Sequence, residues 1–86
     1  MLYIFYGTNM YSIGQIYKFE LIGKIYYTGK ILEENHVTIR IKTIRDEDLI
    51  LNKQQIKQSK VELDKHVRAQ LELLYKQFLE KELKYG

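Results

Sequence analysis

Phe19-Glu20-Leu21-Ile22-Gly23-Lys24-Ile25-Tyr26-Tyr27-Thr28-Gly29-Lys30-Ile31-Leu32 decides the fold. It opens inside an alternating run, Ile16–Ile22. There Tyr17, Phe19 and Leu21 face one way, and Lys18 and Glu20 the other, which is the pattern of a half-buried strand. Gly23 supplies a tight turn. Lys24–Leu32 then alternates again, with Ile25, Tyr27 and Ile31 on one face and Tyr26, Thr28 and Lys30 on the other. Gly29 inside this second strand predicts a sharp bend or a bulge.

Working outward, Glu33-Glu34-Asn35 reads as a polar turn and His36–Ile44 as the clearest strand, with Val37, Ile39 and Ile41 inward and Thr38, Arg40 and Lys42 outward. Arg45-Asp46-Glu47-Asp48 is a charged turn. Leu49–Leu51 is a short strand, and Ile56 anchors another after the polar Asn52–Gln55 segment. Toward the N-terminus, Leu2–Tyr6, the turn Gly7-Thr8-Asn9 and a returning Met10–Ile13 predict a β-hairpin over residues 1–15. Toward the C-terminus the period becomes helical. Ser59-Lys60-Val61-Glu62 fits a capping box. Val67, Leu71, Leu74 and Phe78 come next at spacings of 4, 3 and 4, widened by Leu63, Tyr75, Leu79 and Leu83. The spacing predicts an amphipathic helix over about residues 60–84, roughly 37 Å long.

The expected fold class is therefore mainly β with a long amphipathic C-terminal α-helix. It is one domain in three parts: the N-terminal hairpin 1–15, a small strongly bent barrel 16–59, and the helix 60–84. The 86 residues leave a small core. A chain of this size buries only about two-thirds of its unfolded surface, so a partner subunit would help. The helix is longer than such a barrel is wide, and a second copy is the natural cover for the excess.

The absence of Cys excludes disulfide scaffolds, zinc fingers and thiol nucleophiles. The longest apolar run, Met1–Tyr6, is far short of the ~20 residues that span a bilayer. It has no basic residue before it and no small-residue cleavage site after it, so a cytoplasmic location is the expectation, with no membrane partner. The net charge of +3 permits nucleic acid as a partner without demanding it. Asp46-Glu47-Asp48 are consecutive and splay apart in a turn, and His36 and His66 lie 30 residues apart, so no metal site is expected. No nucleophile–base–orienter set and no Gly-rich phosphate loop is present, so neither catalysis nor a cofactor is expected.

The order of strand, Gly, strand with an internal Gly, turn, long strand, turn, short strand, polar segment and short strand resembles the Sm-like family, including its bacterial Hfq branch. The first family motif is carried by Phe19–Leu32, an apolar strand, a Gly turn, an alternating strand and Gly-x-apolar. The second is carried more loosely by Leu49-Ile50-Leu51-Asn52-Lys53-Gln54-Gln55-Ile56. The resemblance spans about residues 16–59, and other SH3-like barrels share its pattern of bent strands with Gly at the corners. It implies a ring-forming small barrel that binds RNA. It also implies that the loops holding Asn35-His36 and Lys53 converge, with Lys53 on phosphate and Asn35 or His36 on a base edge. Where the Hfq branch has Lys followed by His, this chain has Lys53 followed by Gln54.

The residues add a candidate of their own. If the two long strands pair, Tyr26 and Lys30 share a face with Arg40 and Lys42. Three cations and an aromatic ring suit phosphates and a stacked base. The expected function is an oligomeric Sm-like protein that binds RNA or other single-stranded nucleic acid with weak sequence preference. Lys30, Arg40, Lys42, Tyr26, Lys53, Asn35 and His36 would be at its site, and Val67, Leu71, Leu74 and Phe78 would serve homo-oligomerisation. The alternative is a structural or protein-interaction module, of viral or mobile-element type, with no nucleic-acid role. Six of the eight Tyr lie within the first 27 residues, and aromatic anchors of this kind favour it.

Overall fold

The computed structural model describes the backbone of residues 10–85 and the side chains of residues 10–83. Among the described residues five strands precede one helix: β1 Ile16–Leu21, β2 Ile25–Glu34, β3 Thr38–Thr43, β4 Asp48–Asn52, β5 Ile56–Val61 and α1 Lys65–Tyr85. The strands form one antiparallel sheet in the order β4-β3-β2-β1-β5. Among the described residues the sheet is open, with β4 and β5 as its two edges. A single 3-10 turn, Lys53–Gln55, connects them.

Local chemistry sets each corner. Gly23 and Lys24 take positive φ between β1 and β2. Asn35 Oδ1 accepts from the N–H groups of Val37 and Thr38, closing the β2–β3 turn as an Asx motif. Thr43 Oγ1 accepts from the N–H groups of Arg45 and Glu47 in the β3–β4 turn. Asn52 Oδ1 accepts from Gln54 N–H to start the 3-10 turn.

Alternation divides the sheet into two faces. Phe19, Leu21, Ile31, Ile39, Ile41 and Leu51 form the core on one, joined by Tyr11 and flanked by Tyr17, Tyr27, Leu49 and Ile56. Lys30, Arg40 and Lys42 lie on the other, beneath α1. Gly29 sits where β2 crosses close over β3. A Cβ there would stand 2.9 Å from Lys42 O and 3.1 Å from an Ile41 methyl. Two positions later the β2–β3 register slips between Ile31 and Glu33. The slip inverts the facing of the two glutamates beyond it. Glu33 pairs with Arg40 and joins the helix face, while Glu34 pairs with Ile39 and turns to the core face.

Two sequence expectations are corrected. The first limb of the hairpin, Leu2–Tyr6, lies outside the described residues. Its return, Met10–Ile13, is not a strand. Tyr11 instead plugs one end of the core. Its ring packs edge-on to Tyr17 and Phe19, its N–H donates to Glu34 Oε2 at 2.7 Å, and its hydroxyl meets Ser59 Oγ at 3.2 Å. The helix begins later than the capping-box reading places it. Ser59, Lys60 and Val61 belong to β5, and the cap is Asp64, whose Oδ1 accepts from the N–H groups of His66 and Val67. The box pattern is present, but cross-strand bonding to β1 claims those residues first. The helix that remains has 21 residues, about 31 Å.

Gly29→Ala is expected to lower stability in urea by about 1–3 kcal/mol, because Lys42 O is backbone and cannot move aside cheaply. Leu71, fully buried under the helix, is expected to lose several kcal/mol as Leu71→Asp. Leu73→Asp, on the exposed side of the same helix, should change the melting midpoint little.

Candidate nucleic-acid interface

The sheet does bring Lys30, Arg40 and Lys42 onto one face, with Lys30 and Lys42 directly opposite each other. It does not leave them to solvent. Lys30 Nζ donates to Glu72 Oε1 on α1 at 2.6 Å and lies 4.7 Å from the centre of the Tyr75 ring. Lys42 Nζ pairs with Asp46 Oδ1 at 2.7 Å and lies 5.4 Å from the Phe78 ring centre. Arg40 sits 5.6 Å from the same ring. Its guanidinium is bidentate to Asp48, at 2.8 and 2.6 Å, and bonds Glu33 at 2.9 Å. Such forks are strong, charge-assisted bonds. They hold Arg40 protonated above its ordinary range and hold the Asp48 carboxyl below its own. The expectation of a solvent-facing cation cluster is thus corrected, because α1 covers it with rings and a carboxylate.

The second candidate, Lys53 with Asn35 and His36, is only half assembled. The two loops converge, since Lys53 N–H donates to Val37 O at 2.8 Å. The Lys53 ammonium, however, turns inward. It bonds Glu34 Oε2 at 2.9 Å, with side-chain exposures of 3% and 10%, and lies 5.9 Å from the Tyr11 ring centre. Burial pushes the Glu34 carboxyl up, but the bonds from Lys53 and the Tyr11 N–H outweigh it and hold the group below its ordinary value. Asn35 spends its side-chain oxygen on its own turn, and His36 is exposed. The adjoining groove of about 170 Å³ is lined in part by Glu33 and Glu34, and its cation, Arg40, is already held by Glu33 and Asp48.

The residues expected at an oligomer contact lie on the docked side of α1. Leu71 is fully buried, Phe78 faces the Arg40–Lys42 pair, and Val67 and Leu74 are half-buried. The large apolar side chains that α1 leaves outward are Leu73, Leu79 and Leu83.

Tyr26 is the one expected aromatic that stays open, at 65% exposed. Around it the structure gathers two residues that sequence reasoning leaves out. Lys18 and Lys60 are direct cross-strand partners, with Tyr26 one pair further along the same face. Lys18 is legible as an outward strand residue. Lys60 is not, because the capping-box pattern assigns it to the helix. No group of three or more metal-ligating side chains converges among the described residues, and no helix is long and apolar enough to cross a membrane.

The Glu34–Lys53 pair and Asp48 predict an acid limb in stability. Both carboxyls have folded pKa values below their unfolded ones, so their contribution is complete above about pH 5 and is lost as pH falls through the folded values. Glu34→Gln should flatten part of that limb in urea melts between pH 7 and pH 3. Lys53→Met should cost about 3–5 kcal/mol at pH 7, because it strands a buried carboxylate. The Glu34→Gln/Lys53→Met double variant should cost less than Lys53→Met alone.

Comparison with protein-family models, with curated proteins and with solved structures finds no match for this chain.

Proposed function

We propose that this chain is a small, strongly bent Sm-like or SH3-like barrel module that assembles with copies of itself edge to edge. One observation carries the reading: among the described residues, β4 and β5 each present one edge that no other strand pairs. The charge of Asp48 on β4 is already met by Arg40, so the contact rests on backbone pairing and apolar surface. A free strand edge presents unpaired N–H and C=O groups that seek another strand. Two different edges on opposite sides of one chain favour a head-to-tail contact, which closes into a ring or grows as a filament. Support for barrel curvature comes from the core side of the sheet. Ile31, Ile39 and Ile41 are buried on the face away from α1, which asks the sheet to wrap over its own side chains. Exposed Ile50 on β4 and half-exposed Val61 on β5 add apolar surface to the proposed contacts.

A second reading, binding of RNA or other single-stranded nucleic acid, is favoured by a different observation. The part of the cationic face that α1 leaves uncovered holds Tyr26, Lys18 and Lys60.

Sedimentation velocity at up to roughly 100 μM protein tests the first reading, since assembly responds to concentration by mass action. The expected result is a defined oligomer that Ile50→Lys weakens at least tenfold without shifting the melting temperature, because Ile50 is 70% exposed. A monomer across the whole range would overturn it.

A further inference from the structure

The sheet face beneath and beside α1 carries two cross-strand lysine pairs, and the chain neutralises only one. Lys30 faces Lys42 across β2 and β3, and Lys18 faces Lys60 across β1 and β5. Like charges directly opposite on neighbouring strands repel and destabilise the sheet. The first pair shows how this chain resolves the problem. A carboxylate, Glu72, sits on one ammonium, Asp46 sits on the other, and the Tyr75 and Phe78 rings lie against both.

The second pair has the ring but not the anion. Neither Lys18 nor Lys60 has an acidic partner within ion-pair distance among the described residues. Residues 1–9 contain no Asp or Glu that could supply one. Glu20 is the acidic residue nearest on this face, one pair along the strands between Gln58 and Tyr26, and Lys57 draws on it at 3.7 Å. Tyr26 stands beside the pair with its ring open. Lys18, Glu20, Tyr26, Gln58 and Lys60, with Phe19, line an open groove of about 110 Å³.

We propose that this corner is a binding site for single-stranded nucleic acid, with a backbone phosphate between Lys18 and Lys60 and an adjacent base stacked on Tyr26. The phosphate takes the place that Glu72 holds at the first pair, and the base meets the ring. A duplex buries its base faces and cannot use Tyr26, whereas a single strand offers them. The site gives the nucleic-acid reading its location and rests on that reading. It does not depend on assembly, because the lysines project from the face of the sheet and Lys18 belongs to an interior strand.

Fluorescence anisotropy with labelled single-stranded RNA and DNA of about 12 nucleotides, titrated with salt from ~50 mM upward, tests it on the full chain. The expected wild-type result is binding to single strands in preference to duplex, weakening as salt rises. Lys18→Gln should lower the slope of log affinity against log salt by about 0.7, the value for one lost phosphate contact on a single strand. Tyr26→Ala should weaken binding about tenfold and leave that slope unchanged. Lys60→Glu turns the like-charge pair into an opposite one, so it should abolish binding while raising the melting temperature by a few degrees. That opposite movement of stability and binding is the signature of a pair kept for a ligand. Wild-type binding that both Lys18→Gln and Tyr26→Ala leave untouched would place the nucleic acid elsewhere and overturn this site alone. No wild-type retention at ~50 mM salt would overturn the nucleic-acid reading with it. Equal competition by inorganic polyphosphate, together with an indifferent Tyr26→Ala, would mean that the corner takes any polyanion, and that too overturns the proposal.

Discussion

Three ammonium groups that water barely reaches organise this molecule. Lys30, Lys42 and Lys53 are all buried residues, and a buried charge must be paired or its desolvation goes uncompensated. Each pairing fixes a different part of the chain. Lys30 needs Glu72, so α1 must lie across β2 and β3. Lys42 needs Asp46, so the β3–β4 turn must fold back with Asp46 at positive φ. Lys53 needs Glu34, and Glu34 in turn accepts from the Tyr11 N–H, so the N-terminal segment and the 3-10 turn close over the same carboxylate. The apolar core by itself would specify a sheet with one covered face. The lysines determine what else is attached to it and where.

The bulge after Ile31 makes the third pairing possible. With unbroken alternation Glu34 would share the face of Lys30, far from Lys53. The slipped register sends it to the core side and leaves Glu33 to join Arg40. One extra residue in β2 thus exchanges the faces of two adjacent glutamates and gives each a cation. Gly29 belongs to the same device, since only a residue without a side chain lets β2 pass so close to Lys42 O before the bulge.

Legibility in the sequence tracks the range of the interactions. The strands of residues 16–51 can be read from alternation, because burial of one face is a period-2 signal written locally; the exception is Val37, expected inward, which lies in the β2–β3 turn and is exposed. The apolar stripe of α1, Val67, Leu71, Leu74 and Phe78, can also be read, but the sequence reading assigns it to a second copy and the structure docks it on the chain's own sheet. Two things cannot. The helix start is obscured because Ser59-Lys60-Val61-Glu62 satisfies a local capping pattern while β1 pairs with the same residues from 40 positions away. The fate of the cations is obscured because alternation says which face a lysine is on and nothing about what lies over that face. Lys30, Arg40 and Lys42 are correctly grouped by it, yet their partners Glu72, Tyr75 and Phe78 come from an element whose position no local pattern specifies. The resemblance to Sm-like barrels likewise rests on local strand and Gly order.

The charge of the chain therefore has to be counted by place. A net +3 is small, and the cations that look most available in the sequence each have at least one carboxylate partner, Arg40 having two. What remains unmatched on the sheet face is concentrated at the β5–β1 end, in Lys18 and Lys60 beside the open ring of Tyr26. Sheet stability alone would favour a glutamate at one of those two positions, as the first pair's recourse to Glu72 and Asp46 illustrates. A like-charge pair with no ion-pair partner among the described residues costs the fold something. Under the proposal above, the compensation comes from outside the chain, from an anion that carries a flat ring and so answers both halves of the corner.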